Sequence, residues 1–230
     1  MSDKCTPARF VVSCEHAARG VPPEYAHLFD GHKGVLDSHE GYDRGALDLA
    51  RHLATALGAP LVWCETTRLL ADCNRSETNP KVFSRFSRGL SADERERLLA
   101  QAHRPHRDRV RKAVAQALEQ AQGRPVLHLA CHSFTPVWKG RERDVDVGLL
   151  HDPKRGAEAR FCKAWRQGLA HAAPGLRVRL NMPYRGWTDG LCTTLRAKFP
   201  PAYLGIELEV NQNLEPGVLW GPLMAGLAFC

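Results

Sequence analysis

Two apolar segments of this chain each end in a histidine, a pattern that can build a metal site. Residues 11–16 read Val-Val-Ser-Cys-Glu-His and end at His16. Residues 127–132 read Leu-His-Leu-Ala-Cys-His and end at His132. Because ligands of parallel α/β sheets bind at the carboxyl ends of the strands, we expect both imidazoles at one sheet edge. Zinc hydrolases typically combine three His or carboxylate ligands with an open position for water.

The third ligand is less well specified by the sequence. Asp43 starts a predicted helix after the first strand and so lies near the same edge, although an Asp there could serve only as a helix cap. Glu15 and His39 are the alternatives. A regular strand would direct Glu15 to the face opposite His16.

Two carboxylates alternate with apolar residues near the end of the chain. Residues 206–210 read Ile-Glu-Leu-Glu-Val, which places Glu207 and Glu209 on one face of a strand. Carboxylates in an apolar setting are costly unless they are paired or used. One of them could be the general base that deprotonates a water, and a solvent-facing edge strand is the alternative interpretation.

A cluster of planar donors could bind the carboxylate of a substrate. Arg68, Asn74 and Arg75 carry such donors, but Asp72 could pair with either arginine and make the cluster structural. His103 and Arg143 are weaker candidates, because the first could lie on a solvent-facing helix kink and the second in a salt-bridged turn.

Composition limits the classes of partner. The 230 residues carry a net charge of +7, with 43% hydrophobic and 25% charged residues, which is ordinary for a globular protein. The basic residues are dispersed and mixed with acids, so we expect no nucleic-acid partner but an attraction for a small anionic substrate. We expect no membrane partner, and a monomer or a homodimer.

The amino terminus and the cysteines indicate the compartment. Residues 1–5 are polar and lack the apolar core of a secretory signal, and no apolar run is long enough to cross a bilayer. The eight cysteines are scattered without CxxC spacing. We therefore expect a cytoplasmic protein with free thiols.

Short apolar runs that alternate with helical patterns predict one α/β domain over residues 1–230, with three layers (α/β/α) around a mixed, mostly parallel sheet. The predicted strands are Arg9–Cys14, Pro60–Cys64, Pro125–Cys131, Val145–Leu150, Leu176–Leu180 and Tyr203–Val210.

Helical periodicity is clear in three places. Apolar spacing predicts helices over Asp43–Leu57 and Arg155–His171, and a capping box predicts a long helix over Ser91–Gln122 that Pro105 kinks or divides. Asn181–Phe199 has turn residues and little periodicity, so we predict a long loop or lid there.

Several motifs, taken in chain order, together resemble the N-formylglutamate amidohydrolase family. They are Ser13-Cys-Glu-His16, Asp43 with Gly45-Ala46, Arg68-Leu-Leu-Ala-Asp-Cys-Asn-Arg75, His103 with Pro105, His132-Ser-Phe-Thr-Pro136, Asn181 with Pro183-Tyr184 and Gly186, and Glu207-Leu-Glu-Val-Asn-Gln212. The resemblance implies a phosphorylase/hydrolase-like fold shared with zinc carboxypeptidases and N-acetylmuramoyl-L-alanine amidases.

The resemblance also implies roles for single residues. His16, Asp43 and His132 would bind Zn²⁺, and Glu209 would be the base with Glu207 as its alternative. The carboxypeptidases have Glu three residues after the first His, where this chain has Arg19. The substrate-binding candidates are Arg68, Asn74, Arg75, His103, Arg143 and Asn181.

The expected reaction is metal-dependent hydrolysis of the amide bond of an N-acyl, for example N-formyl, amino acid or a similar small carboxylate-bearing molecule. A zinc amidase or carboxypeptidase that acts on peptidoglycan fragments is the alternative enzyme. A non-catalytic anion-binding protein is the alternative from another class.

Overall fold

The computed structural model describes residues 7–199 and 201–228, which fold around one six-stranded sheet and one small hairpin. The strands are β1 (Arg9–Cys14), β2 (Leu61–Trp63), β3 (Val126–Phe134), β4 (Val137–Trp138), β5 (Arg141–Glu142), β6 (Val147–Leu150), β7 (Val178–Leu180) and β8 (Tyr203–Asn211). Strands β4 and β5 form the hairpin, and the other six form the sheet.

The sheet has the order β2-β1-β3-β8-β6-β7. The β6–β8 pair is antiparallel and the other described pairs of this sheet are parallel, so the carboxyl ends of β1, β3 and β8 meet at one edge. Strand β3 is buried along its whole length. Strands covered on both faces need continuous apolar runs, which explains why the sequence shows these strands clearly.

Helices cover both faces of the sheet. They are α1 (Ala46–Leu57), α2 (Ala92–Leu98), α3 (Arg104–Ala121), α4 (Gly156–Ala172), α5 (Leu191–Lys198) and α6 (Pro216–Leu227). Helices α1, α4 and α6 pack on one face, and α3 and α5 pack on the other. The predicted three-layer fold with a mixed, mostly parallel sheet is therefore confirmed. Within the described residues, no helix combines the length and the apolarity needed to span a membrane.

The helix predictions are right in position but not at every boundary. Helix α1 begins at Ala46 rather than at Asp43, because Gly45 takes a left-handed conformation (φ 80°) at the helix start. The predicted loop over residues 181–199 is wrong from Leu191 onward, where α5 begins. Helix α6 was not predicted; its proline and glycine content hides its helical period.

The long helix predicted over Ser91–Gln122 is divided near Pro105, as expected. The Ser91 capping box is present, with the Ser91 hydroxyl accepting from the Glu94 amide. One π-helical turn over Leu99–His103 separates α2 from α3, and Pro105 lies in the first turn of α3. Proline lacks the amide hydrogen that a continuous helix needs, and a wider turn accommodates that loss.

The described cysteines are buried thiols outside any disulfide, in agreement with the predicted reduced state, and Cys5 and Cys230 lie outside the described residues. The Sγ atoms of Cys64 and Cys73 are 3.2 Å apart. The other four described cysteines act as small apolar side chains in the core.

A fully buried ion pair joins three elements around β8. Glu158 of α4 is 0% exposed and Arg196 of α5 is 6% exposed. The Arg196 Nε donates to Glu158 Oε1 at 3.0 Å and its Nη2 donates to the carbonyl of Gly205 in β8 at 2.6 Å. The Gly205 amide in turn donates to Glu158 Oε1 at 3.1 Å. This network fixes α4 and α5 relative to the central strand.

Loss of one partner should be costly because the other charge stays buried. We predict that Arg196→Met lowers the free energy of unfolding by about 3–5 kcal/mol, measured by urea denaturation. Arg85→Met is the matched control, since the Arg85–Glu40 pair is exposed and its loss should change stability little. Equal effects of the two substitutions would contradict the structural role of the buried pair.

Candidate active site

Three side chains from distant parts of the chain converge at the edge where β1 and β3 end. The Oδ2 atom of Asp43 lies 3.2 Å from His16 Nδ1 and 2.9 Å from His132 Nδ1. One potential ligand atom from each residue lies within 4.8 Å of the other two. All three residues are buried. The structure thus brings together the three predicted metal ligands.

The backbone explains why Asp43 is available for this position. Its amide donates to the His16 carbonyl at 2.9 Å, which ties the loop before α1 to the end of β1. Because Gly45 precedes the first helical residue and no side chain caps the helix, the Asp43 carboxylate does not serve as an N-cap. It instead faces the two imidazoles.

A second carboxylate lies behind each imidazole. His16 Nε2 is 2.7 Å from Asp72 Oδ1, and His132 Nε2 is 3.1 Å from Glu15 Oε2. Carboxylates in this position orient metal-binding histidines and fix their tautomers. The geometry leaves both Nδ1 atoms directed at the point occupied by the Asp43 carboxylate.

Neither alternative third ligand joins the group. Glu15 contacts the Nε2 atom of His132, on the side of the ring opposite the Nδ1 atom that faces Asp43. Its other oxygen lies 3.4 Å from His106 Nε2. His39 is exposed and its ring packs 5.9 Å from that of Trp138. Glu15 is therefore suited to position His132 rather than to complete the triad.

The charges around the triad fit a bound cation. Burial alone lowers the pKa of His132, but the hydrogen bonds and charges of Asp43 and Glu15 outweigh it and raise that pKa well above its usual value. Burial raises the pKa of Asp43, and the imidazoles with Arg68 reverse this and lower it. Two imidazole nitrogens and one carboxylate are also a donor set that zinc accepts. The residues present therefore fit a divalent ion.

Arg68 is committed to the carboxylates of this centre. Its Nη1 donates to Asp43 Oδ1 at 3.4 Å, and its Nη2 donates to Asp72 Oδ2 at 3.2 Å. The interpretation that Asp72 pairs with an arginine is thus correct for Arg68. Asp72 also accepts from the Asn74 amide at 2.9 Å, so it organises the turn as well as His16.

Glu207 and Glu209 share one face of β8 and are both buried. The edge-strand interpretation is wrong, because β8 lies between β3 and β6. Glu209 is directly opposite His132 in the strand register, and its Oε2 is buried without a hydrogen-bond partner among the described residues. Burial raises the pKa of Glu209 to about 7; the His132 and His16 rings oppose this rise, and the charges of Asp43 and Glu207 add to it.

Gly148 makes room for this carboxylate. It lies opposite Glu209 in β6, and a Cβ at position 148 would approach the Cβ of Glu209 to 3.2 Å and clash with the carbonyl of Met182.

A cavity of about 180 Å³ opens beside the triad. Its lining is mostly polar and comprises His16, Asp43, Arg68, Asp72, Asn74, Arg75, His132, Ser133, Tyr184, Arg185, Thr188, Asp189, Glu207 and Glu209. The candidate ligands, the two glutamates and three candidate carboxylate-binding residues therefore face one space.

A family model described as N-formylglutamate amidohydrolase matches residues 8–214, nearly the whole chain. The chain belongs to the N-formylglutamate amidohydrolase family. This membership supports an amidohydrolase activity.

Solved structures show the same fold. The gene product Atu2144 of Agrobacterium tumefaciens is 33% identical, with a TM-score of 0.79 over 98% of this chain and 89% of that one. The N-formylglutamate amidohydrolase of Ralstonia eutropha JMP134 is 16% identical, with a TM-score of 0.68 over 98% of this chain and 93% of that one. No match was found among the curated proteins.

Within this member of the N-formylglutamate amidohydrolase family, three predicted substrate-binding residues do not line the cavity. His103 is fully buried and its Nε2 donates to the Arg75 carbonyl at 2.8 Å. The Asn181 Oδ1 accepts from the amides of His151 and Gly186, so this side chain shapes a loop. Arg143 packs among aromatic rings outside the cavity lining.

Other residues that line the cavity were not predicted as site residues. Tyr184, Arg185 and Asp189 lie in the segment predicted only as a loop, where no periodic signal indicates which side chains face inward. Asp189 accepts from the Ser76 amide at 3.1 Å, and its carbonyl accepts from Arg75 Nη1 at 3.2 Å. The loop and the turn that bears Arg75 are thereby held together across the cavity.

The proposed ligand set predicts which histidines a metal requires. His16→Ala and His132→Ala should each abolish stoichiometric Zn²⁺ binding, because a catalytic zinc site typically needs three protein ligands and only two would remain. The measurement is zinc content by mass spectrometry after dialysis, together with calorimetric titration. His39→Ala is the matched control and should keep full zinc occupancy; retention of zinc by either triad variant would refute the ligand set.

Proposed function

We propose that this protein hydrolyses the amide bond of an N-acylated, for example N-formylated, amino acid or a similar small carboxylate-bearing molecule, with the help of a divalent ion such as Zn²⁺. The observation that carries the proposal is the meeting of His16, Asp43 and His132 beside Glu209, whose buried Oε2 has no hydrogen-bond partner in the described part of the chain. Family membership supports the amidohydrolase part.

The residues divide the chemistry among them. An ion held by the triad would supply a water of lowered pKa and polarise the acyl oxygen. Glu209 lies beside His132 and has a pKa raised to about 7, so near neutral pH it can accept a proton from the attacking water. The same carboxyl can return that proton to the leaving nitrogen.

The cavity also provides for a substrate carboxylate. Arg68 is bound to Asp43 and Asp72, so Arg75 and Arg185 are the cavity-lining cations best placed for an anionic group. The half-buried guanidinium of Arg75 lies 3.9 Å from Asp72 through Nε and donates from Nη1 to the Asp189 carbonyl, which leaves further N–H donors for a planar carboxylate. A carboxylate held there would orient the amide bond towards Glu209.

The size of the site favours a small substrate. A cavity of about 180 Å³ is smaller than the roughly 300–1,000 Å³ of typical drug-sized sites. An amino-acid derivative suits this space better than an extended peptidoglycan fragment. A protein that only binds anions would not need a carboxylate in the cavity such as that of Glu209, because an ionised carboxylate repels an anion.

The assignment of the base gives a sharp prediction. Glu209→Gln should lower kcat by about 10²–10⁴-fold, since the amide cannot accept the proton, while zinc occupancy stays at the wild-type level. Steady-state kinetics and metal analysis on the same preparation test both parts. Glu207→Gln is the matched control, and a larger loss of kcat in that variant would assign the base to Glu207.

The reaction itself is tested by a substrate panel. We expect metal-loaded protein to hydrolyse N-formyl or N-acetyl amino acids, and metal-stripped protein to lose this activity and regain it with Zn²⁺. Matched substrates whose carboxylate is converted to an amide should have a higher KM, because Arg75 loses its charged partner. Absence of hydrolysis throughout the panel, with zinc bound, would reject the proposed function.

A further inference from the structure

Exposed apolar side chains of this protein are concentrated on two segments. Five of the six large apolar side chains that are exposed in the described residues lie at Val137, Trp138, Met182, Tyr184 and Trp187. Their exposed fractions are 41–47%. Isolated exposed apolar residues are normal, whereas a group of them marks a binding surface. Val137 and Trp138 form strand β4 of the hairpin, and the other three residues lie in the loop before α5.

Arg143 connects the two segments. Its guanidinium carbon lies 5.3 Å from the ring centres of both Trp138 and Tyr184 and 5.4 Å from that of Phe134. Its Nη2 donates to the Tyr184 hydroxyl at 3.3 Å, and its Nη1 donates to the Thr135 carbonyl at 3.3 Å. A guanidinium stacked on several rings holds them in fixed positions, so Trp138 and Tyr184 form a prearranged surface.

This surface is continuous with the candidate active site. Tyr184 is exposed on the outside and also lines the cavity, and Arg185 next to it lines the cavity as well. Trp187 belongs to the same loop, and Thr188 and Asp189 after it are again cavity residues. A molecule whose amide bond lies beside Glu209 would therefore reach Tyr184 as it extends out of the cavity, and Arg143 links Tyr184 to Trp138.

We propose that Trp138, Met182, Tyr184 and Trp187, here called the aromatic rim, bind a large apolar group of the substrate. The inference rests on the proposed function and narrows it: preferred substrates carry an aromatic or long aliphatic group in addition to the carboxylate. Arg143 is a positioning residue for the rim.

A substrate group fits the rim better than a protein partner does. Stable protein interfaces use roughly 20–30 residues on each side, whereas the rim comprises four side chains, one of which, Tyr184, also lines the cavity. Four such side chains can cover one ring or a short chain of methylene groups, and each buried methylene favours binding. The polar cavity lining holds the charged end of the same molecule.

The test compares N-formylphenylalanine and N-formylnorleucine with N-formylalanine, which lacks the large apolar group. The wild-type protein should have a kcat/KM at least about tenfold higher for the larger substrates, mainly through KM. Trp138→Ala and Arg143→Gln should reduce this ratio towards one. Val218→Ala, which alters the sixth exposed apolar residue on α6, is the matched control and should keep the wild-type ratio.

A binding measurement separates this inference from the proposed function. Phenylalanine and alanine, the amino-acid products, are titrated while the intrinsic tryptophan fluorescence is recorded, which requires no turnover. Tighter binding of phenylalanine, lost in Trp138→Ala, supports the rim even if no amide is hydrolysed. Hydrolysis of N-formylalanine without any preference in either assay would overturn the rim and leave the proposed function intact.

Self-association is the remaining outcome. If Trp138→Ala converted a dimer into a monomer in analytical ultracentrifugation and left the substrate ratio unchanged, the rim would be a contact between two copies of this chain. That result would overturn the proposal.

Discussion

The architecture of the candidate active site depends on the burial of one carboxylate, that of Asp43, between two imidazoles. A buried anion is tolerated only when opposite charges or strong donors surround it, and His16, His132 and Arg68 supply them here. Asp72 and Glu15, behind the imidazoles, orient the rings so that both Nδ1 atoms face Asp43. The parallel pairing of β1 with β3 brings these groups to one edge although they are far apart in sequence.

The same burial produces two kinds of carboxylate around this centre. Asp43 and Glu15 are surrounded by imidazoles, so their pKa values fall and they stay ionised. Burial raises the pKa of Glu209 to about 7, and its Oε2 has no hydrogen-bond partner among the residues that the structure describes. When two carboxyl groups have very different pKa values, the one with the low pKa can stay an anion while the one with the higher pKa exchanges a proton.

The meeting of the triad could be predicted because its signals are local. Apolar runs that end in His16 and His132 specify buried strands whose ends share an edge. Helix α5 could not be predicted, since its place depends on Arg196 reaching Glu158 in another helix. His103 shows a different limit: the sequence reveals a donor, but not that this donor faces a backbone carbonyl rather than a substrate.

The π-helical turn between α2 and α3 constrains where this chain can vary in length. His103 ends that turn, and Arg107, one turn later, donates from Nη1 to the carbonyls of Cys73 and Arg75. Because successive helical residues are rotated by about 100°, removing a single residue from the turn would swing Arg107 away from these carbonyls. Insertions and deletions in this helix should therefore be poorly tolerated, even though much of its outer surface faces solvent.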